Sequence, residues 1–196
     1  MESIISSYNT FLVVMAVIAL LVFIALQFFE AGYGYLFDRR YGRPIPNKVG
    51  WVLMESPVFV TMCILWGLSP RQWEFAPLIL FLLFQAHYFQ RSFIFPLLMR
   101  GESKMPLGIV LMGMTFNTFN AYVIGEWLYN PNLNGGMYQL DWLWSPQFII
   151  GALIFFAGMA INMHSDHVIR NLRKPGDTKH YIPRKGFYKY VTSANY

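Results

Sequence analysis

Five continuous apolar runs, each about as long as a helix needs to cross a bilayer, constrain this chain more than any motif in it. They cover Phe11–Phe29, Gly50–Leu68, Phe75–Met99, Pro106–Tyr129 and Ser145–His164. A spanning helix requires roughly 20 mostly apolar residues. The runs do not alternate with polar residues, which argues against membrane strands. Composition agrees: 56% of the 196 positions are hydrophobic and only 13% charged, too little charged surface for a soluble domain of this length. The first run follows Glu2 and no lysine or arginine, and its apolar core is too long for a secretory leader, so it reads as a retained span. The expected fold is all-α, a polytopic transmembrane helix bundle forming one membrane-embedded domain over residues 1–196, as a monomer. The closing "YVTSANY" turns apolar again after a basic loop. It reads as the first turn of a sixth helix, which would make the chain incomplete at its C-terminus.

Charge sets the expected orientation. The loop after the first span carries Arg39, Arg40, Arg43 and Lys48, and the loop after the third carries Arg100 and Lys104. The segment after the fifth carries Arg170, Arg173, Lys174, Lys179, Arg184, Lys185 and Lys189, while the even-numbered loops hold only Arg71. The positive-inside rule therefore places the N-terminus outside and the long basic segment in the cytoplasm. The net charge of +5 is accounted for largely by this topology, and nucleic acid is not an expected partner. Cys63 is the single cysteine, so no internal disulfide can form.

Ionisable groups inside spans are costly and usually face a bundle interior or cavity. Here they are Glu55 in "VLMESP", Gln85, His87, Tyr88, Gln90 and Arg91 in "QAHYFQRSF", Asn117, Asn120 and Glu126 in the fourth span, and Asn162 and His164 in the fifth. At 1.5 Å per residue, Glu55 lies roughly 8 Å inside its span, and Arg91 and Tyr88 about 12 and 16 Å from the end of theirs. All three fall in the half nearest the basic loops, with Gln85, Tyr88 and Ser92 on one helix face and His87 and Arg91 on an adjoining one. Glu55 and Arg91 could merely neutralise each other, and Tyr88 could be an interhelical hydrogen bond. The set as a whole points to one pocket opening towards the cytoplasm.

The most polar stretch is "INMHSDHVIRNLRKPGD", Ile161 to Asp177. If the fifth helix continues past His164, Asp166, Arg170 and Arg173 share a face at i, i+4 and i+7. The helix must stop before Lys174-Pro175-Gly176, because proline disfavours helical geometry at the residue before it. Such a basic loop would hold a polyanion, either a phosphorylated dinucleotide or anionic lipid headgroups. No G-x-G-x-x-G or P-loop occurs. His164 and His167 lack further ligands at metal-binding spacing, so no metal site is expected.

Two of these stretches carry a resemblance. "NMHSDHVIRNLRKPGD" with "IPRKGFYKYVTSANY" closely resembles the C-terminal signature of the steroid 5α-reductases (3-oxo-5α-steroid 4-dehydrogenases), and "HYFQRSFIFPLLMRG" and the glutamate of "MESP" match the same family upstream. The resemblance implies a bacterial-type member of a seven-span family that uses NADPH to reduce the carbon–carbon double bond of a 3-oxo-Δ4-steroid, with a steroid or related lipid as substrate. It implies that Glu55 and Tyr88 bind the 3-keto oxygen, with Tyr88 the donor and Glu55 orienting it or, when protonated, donating as well. It implies that Asn162, Asp166, Arg173 and Asn195 line the NADPH site, with Arg91, His164 and Arg170 supporting it. Met54 stands where animal members carry glutamine, and Tyr181 where some carry arginine. The family's continuation, with a further glutamate and two last spans, lies beyond residue 196. Related reductases act on polyprenals and enoyl thioesters, and a non-enzymatic lipid-binding subunit would share the charge pattern.

Overall fold

The structure, a computed structural model, describes residues 2–29, 32, 34, 37–173, 177, 179 and 181–195. The expected Lys174-Pro175-Gly176 turn lies outside the described residues. Among the described residues, five helical segments are long and apolar enough to cross a membrane: Ile4–Ala25, Asn47–Leu68, Phe75–Leu98, Leu107–Tyr129 and Pro146–Arg170. The fold is all-α, as expected. The elements are α1 (Glu2–Ala25), β1 (Pro44–Pro46), α2 (Asn47–Leu68), α3 (Phe75–Phe89), a π-helical turn (Gln90–Ile94), α4 (Phe95–Leu98), β2 (Lys104–Pro106), α5 (Leu107–Tyr129), α6 (Pro131–Asn134) and α7 (Pro146–Arg170). Short 3-10 turns lie at Arg39–Tyr41, Leu140–Trp144 and Gly186–Lys189.

Helix ends depart from the hydropathy boundaries where backbone bonding decides them. The first helix begins at Glu2 and stops at Ala25, four residues before the apolar run does. Its exit tightens into shorter-range bonds, with Gln27 donating to the Ile24 carbonyl and Phe28 to that of Ala25. The last helix continues past His164 to Arg170. Ser145 caps its start, accepting from the Phe148 amide at 3.2 Å, and Asn171 closes its end, its side-chain amide donating to the His167 carbonyl at 2.8 Å. Arg173 therefore lies beyond the helix. The shared face expected for Asp166, Arg170 and Arg173 extends only to the first two.

The chain forms two compact units, Met1–Leu97 with Gly101–Leu140, and Leu98–Arg100 with Asp141–Tyr196. In the first, a short antiparallel pair joins β1 to β2, with Pro44 opposite Pro106 and Pro46 opposite Lys104. Prolines suit such isolated edges because they have no N–H to pair. Pro46 and Pro106 then stand at the N-cap positions of α2 and α5, and the two helices run in the same direction, Gly50 lying against Val110, Met54 against Gly113 and Leu65 against Gly125. The two helices pack along a row of small residues on α5: Gly113, Asn117, Ala121 and Gly125, each four apart. A side chain at Gly113 would run into Met54, and one at Gly125 into Leu65 and Met62. Small residues at this spacing allow close backbone approach, which drives helix pairing in lipid, where burial of apolar surface adds little. α1 lies against the far half of α5, through the Tyr8 hydroxyl donating to the Val123 carbonyl at 3.0 Å and Phe11 edge-on to Phe119 and Tyr122.

At the end of this unit away from the β-pair, the one basic residue of the even loops turns out to be structural. Arg71 is only 3% exposed. Its guanidinium donates to the Glu74 carboxylate at 2.8 Å, the Tyr138 carbonyl at 2.9 Å and the Asn134 side-chain oxygen at 3.3 Å. Asn134 in turn donates to the Trp127 carbonyl at 2.7 Å, and Ser69 to that of Tyr129 at 3.0 Å, so the exposed carbonyls at the end of α5 are answered. Arg71 is thus a neutralised tie between two loops rather than an exception to the charge asymmetry. Arg71→Leu should lower stability by about 2–4 kcal/mol, since it strands several buried acceptors. Arg39→Leu, at an exposed position, should change it by less than about 0.5 kcal/mol. Thermal melts of both variants in one detergent would check this; equal small shifts would mean the tie holds nothing.

Candidate functional site

Residue Glu55 sits on α2 two positions before Pro57. Proline has no N–H, so the Leu53 carbonyl one turn back loses its helical donor and the ladder is interrupted there. Side chains from two other elements meet the next two carbonyls. Asn117 of α5 donates to the Met54 carbonyl at 2.7 Å, and Ser92 of the π-turn donates to the Glu55 carbonyl at 2.9 Å. The same Asn117 amide nitrogen reaches the Glu55 carboxylate oxygen Oε2 at 3.4 Å. Glu55 is therefore held through its backbone by one neighbour and through its side chain by another.

The π-turn supplies the second wall. The Phe95 amide donates to the Gln90 carbonyl, five residues back, which inserts an extra residue into the helical turn. Pro96 follows at once and cannot donate to a carbonyl of that turn, a local reason for the widening. The consequence is that Gln90, Arg91 and Ser92 are all buried, three in succession, which a regular helix of this type would not place on one side. The Arg91 guanidinium lies over the Trp51 ring at 5.0 Å and the Phe95 ring at 4.7 Å. Cation–π contacts of this kind hold a charge in an apolar setting. Tyr88, one turn earlier on α3, packs against Phe84 at 4.5 Å and edge-on to His87 at 5.1 Å. Glu55, Tyr88 and Arg91 interact electrostatically with one another, Glu55 with Arg91 and Tyr88 with both. The expected convergence of these three occurs within the first unit. Both Glu55 and Tyr88 are half-buried.

The remaining expected residues lie in the second unit. Asn162 and Asn195, 33 positions apart, are brought together: the Asn162 amide donates to the Asn195 carbonyl at 2.7 Å. The Asn195 side-chain oxygen accepts from the Tyr188 hydroxyl at 2.9 Å, and the Tyr188 ring packs with Val168 and Ala194. The C-terminal segment is thereby folded back onto the end of α7. Gly186, at a φ of +59°, passes so close to the His164 ring that any side chain there would collide with it. Asp166 is buried, while Arg170 is half-exposed and Arg173 exposed. Ser165, 0% exposed, keeps its hydroxyl without a hydrogen-bond partner among the described residues.

Further along, Asp177 organises a short loop. Its carboxylate accepts from the Lys179 amide at 2.9 Å and the Tyr181 hydroxyl at 2.8 Å. These two bonds, with the charge of Arg173, hold the Asp177 carboxyl below its ordinary range, and the same bond raises the Tyr181 phenol. Tyr181 thus spends its hydroxyl on a carboxylate. Among the described residues no group of three or more His, Cys, Asp or Glu side chains is arranged to hold a metal ion. The donors here are of a kind that suits an anionic ligand: exposed guanidinium and ammonium groups at Arg173, Lys179, Arg184, Lys185 and Lys189, beside the half-buried amides of Asn162 and Asn195 and the Ser165 hydroxyl, which has no partner among the described residues.

Three participants were not assigned from sequence. Asn117 was visible only as a polar residue in a span; its four-residue spacing with Gly113, Ala121 and Gly125 was the available signal. Trp51 carried none, and the burial of Gln90 follows from the π-turn, for which Pro96 is the only cue.

The sequence profile of the 3-oxo-5-alpha-steroid 4-dehydrogenase family matches residues 103–196. The chain is 42% identical to 3-oxo-5-alpha-steroid 4-dehydrogenase 1 of Macaca fascicularis over 154 residues, 78% of this chain and 57% of that protein. It is 35% identical to the Mus musculus 3-oxo-5-alpha-steroid 4-dehydrogenase 1 over 91% of this chain and 69% of that one. Steroid 5-alpha-reductase DET2 of Arabidopsis thaliana is 30% identical over 88% of this chain and 67% of its own length. The match thus spans a little over half of the macaque relative and about two thirds of the other two. With that similarity running through both the Glu55–Tyr88 region and the C-terminal segment, the chain belongs to the 3-oxo-5-alpha-steroid 4-dehydrogenase, or steroid 5α-reductase, family.

Proposed function

We propose that this protein reduces the C4–C5 double bond of 3-oxo-Δ4-steroids with NADPH, with Glu55 and Tyr88 binding the 3-keto oxygen. The observation that carries the reading is the convergence of Glu55, Tyr88 and Arg91 in one half-buried site, in a chain whose relatives are named for this reaction. NADPH supplies a hydride to C5 when bound. Adding that hydride drives negative charge onto the ketone oxygen as an enolate, a donor fixed there lowers the barrier, and uptake of a proton at C4, ultimately from water, completes the reduction. Tyr88 is that donor; its hydroxyl can hydrogen-bond the ketone and strengthens the bond as charge develops. Glu55 orients Tyr88 or, protonated, donates beside it. Arg91, stacked on Trp51, holds a positive field close to both.

Arg173 and the lysines and arginine that follow it suit the phosphates, as Asn162, His164, Asp166, Arg170 and Asn195 suit the rest of the dinucleotide. The basic segment faces the cytoplasm on this reading, where NADPH is made. A lipid-dissolved steroid and a water-dissolved cofactor then reach the same protein from different phases.

Incubating the purified full chain with testosterone or progesterone and NADPH should yield the 5α-dihydro steroid by mass spectrometry. NADPH binding without product from several steroid enones would instead favour a polyprenal or enoyl-thioester substrate. Tyr88→Phe should keep NADPH affinity while turnover drops by roughly 10²-fold. Arg173→Ala should weaken NADPH binding by about tenfold or more with little change in melting temperature. Loss of cofactor binding in both variants would defeat the division of roles. Sidedness is tested in a Cys63→Ser background. Asn132→Cys, exposed on α6 just after α5, should react with an impermeant maleimide on intact cells, and Lys179→Cys only after permeabilisation. The reverse pattern would separate the basic segment from the cytoplasmic NADPH pool.

A further inference from the structure

We infer that Asn117 determines which oxygen of Glu55 carries the proton, and so makes Glu55 a second donor to the substrate's ketone rather than an acceptor. The inference rests on Glu55 and Tyr88 being the ketone-binding pair. It begins with the Asn117 side chain, which is 8% exposed in a row of small residues facing α2. One of its two amide hydrogens goes to the Met54 carbonyl at 2.7 Å. A backbone carbonyl can only accept, so the nitrogen of the amide must face it and the orientation of the group is not free. The second hydrogen of the same nitrogen is directed at Glu55 Oε2, at 3.4 Å.

That contact is long, as hydrogen bonds in an empty site often are before substrate tightens them. Its polarity is what matters. The amide nitrogen has no lone pair to offer, so Oε2 meets a donor and must act as an acceptor. A proton on Oε2 would point one donor at another. When Glu55 is protonated, its proton is therefore confined to Oε1, and Oε2 keeps the carbonyl character. Ser92 meanwhile fixes the backbone of the same residue through the Glu55 carbonyl at 2.9 Å, so the side chain starts from a set position on α2. Arg91 and Tyr88 are the charged and titratable groups that face Glu55 from the π-turn and α3. An arginine cannot accept the Oε1 proton. Among the described groups that face Glu55, the Tyr88 oxygen is left to accept it, as is the ketone of a bound substrate, and both lead to the same hydrogen-bonded chain ending at the reacting carbonyl. Asn117 is a positioning residue in this scheme: it touches Glu55, not the substrate.

A helix clamp alone would explain the Met54 bond, and the test separates the two roles. Infrared difference spectra of the full chain in lipid nanodiscs would be recorded with Glu55→Gln to assign the carboxyl band of Glu55. Asn117→Leu keeps approximate shape and removes the donor; Asn117→Ala serves if the leucine variant does not fold. Either should move the Glu55 carbonyl stretch to higher frequency, because Oε2 loses its hydrogen bond. Turnover should fall by about tenfold, the loss of one hydrogen bond, while KM for the steroid and NADPH affinity stay within about twofold. A folded variant whose Glu55 band does not move overturns the proposal, as does the absence of any protonated Glu55 band where the protein is active. A moved band with unchanged turnover in an enone-reducing protein also overturns it. If the wild-type chain reduces no enone and the band still moves, the reductase reading fails while the placement of the proton stands.

Discussion

A backbone carbonyl inside a membrane can be answered only by its own helix or by a neighbour, because the hydrocarbon offers no donor. Just before Pro57, neighbours of α2 add donors to carbonyls of the helix. Asn117 and Ser92 supply donors to the Met54 and Glu55 carbonyls, and in doing so bring α5 and the π-turn against the one acidic residue of α2. Glu55 is thus fixed by bonds that two neighbouring elements make to the α2 backbone just before Pro57. In lipid a single such interhelical hydrogen bond contributes roughly 0.6–2 kcal/mol. The close approach allowed by Gly113, Ala121 and Gly125 adds the dispersion contacts that keep the bond short.

The two ends of the first unit solve the same problem with different chemistry. At the basic end, Pro46 and Pro106 start α2 and α5 from an antiparallel pair that ties the two helix starts to each other. At the other end, helix carbonyls that have run out of partners are met by Asn134 and Ser69, with Arg71 tying the loops to each other. Register set at one end and bonded loops at the other leave little freedom to slide between them, and Glu55 lies in that stretch. In the second unit the corresponding device is the fold-back of the C-terminal segment, where Asn162, Asn195 and Tyr188 are linked in a short chain of hydrogen bonds.

Much of this was legible in the residues. The spans follow from the bilayer's thickness, and a run of roughly 20 apolar residues has few other uses. Glu55, Tyr88 and Arg91 announced themselves because ionisable groups are expensive in such runs, and regular helical rise put them at similar depth. Their partners were harder to see. Asn117 has no charge, and nothing local to it says which helix its amide meets. Arg71 looked like a stray loop charge because the sequence does not reveal that Glu74, Asn134 and Tyr138 close around it.

What the sequence determined by itself was the class of fold, the count of apolar spans and the identities of the polar residues within them, since those depend on hydropathy and spacing along one chain. Tertiary structure decided the rest. The end of α7 at Arg170, which takes Arg173 out of the helix, depends on how Asn171 caps the last carbonyls. The burial of three successive residues at Gln90, Arg91 and Ser92 depends on a π-turn. The direction in which the Asn117 amide donates depends on a carbonyl 63 residues away. Each is a hydrogen bond whose partner is chosen by packing in three dimensions, and a linear pattern of residue types carries the need for such a partner but not its address.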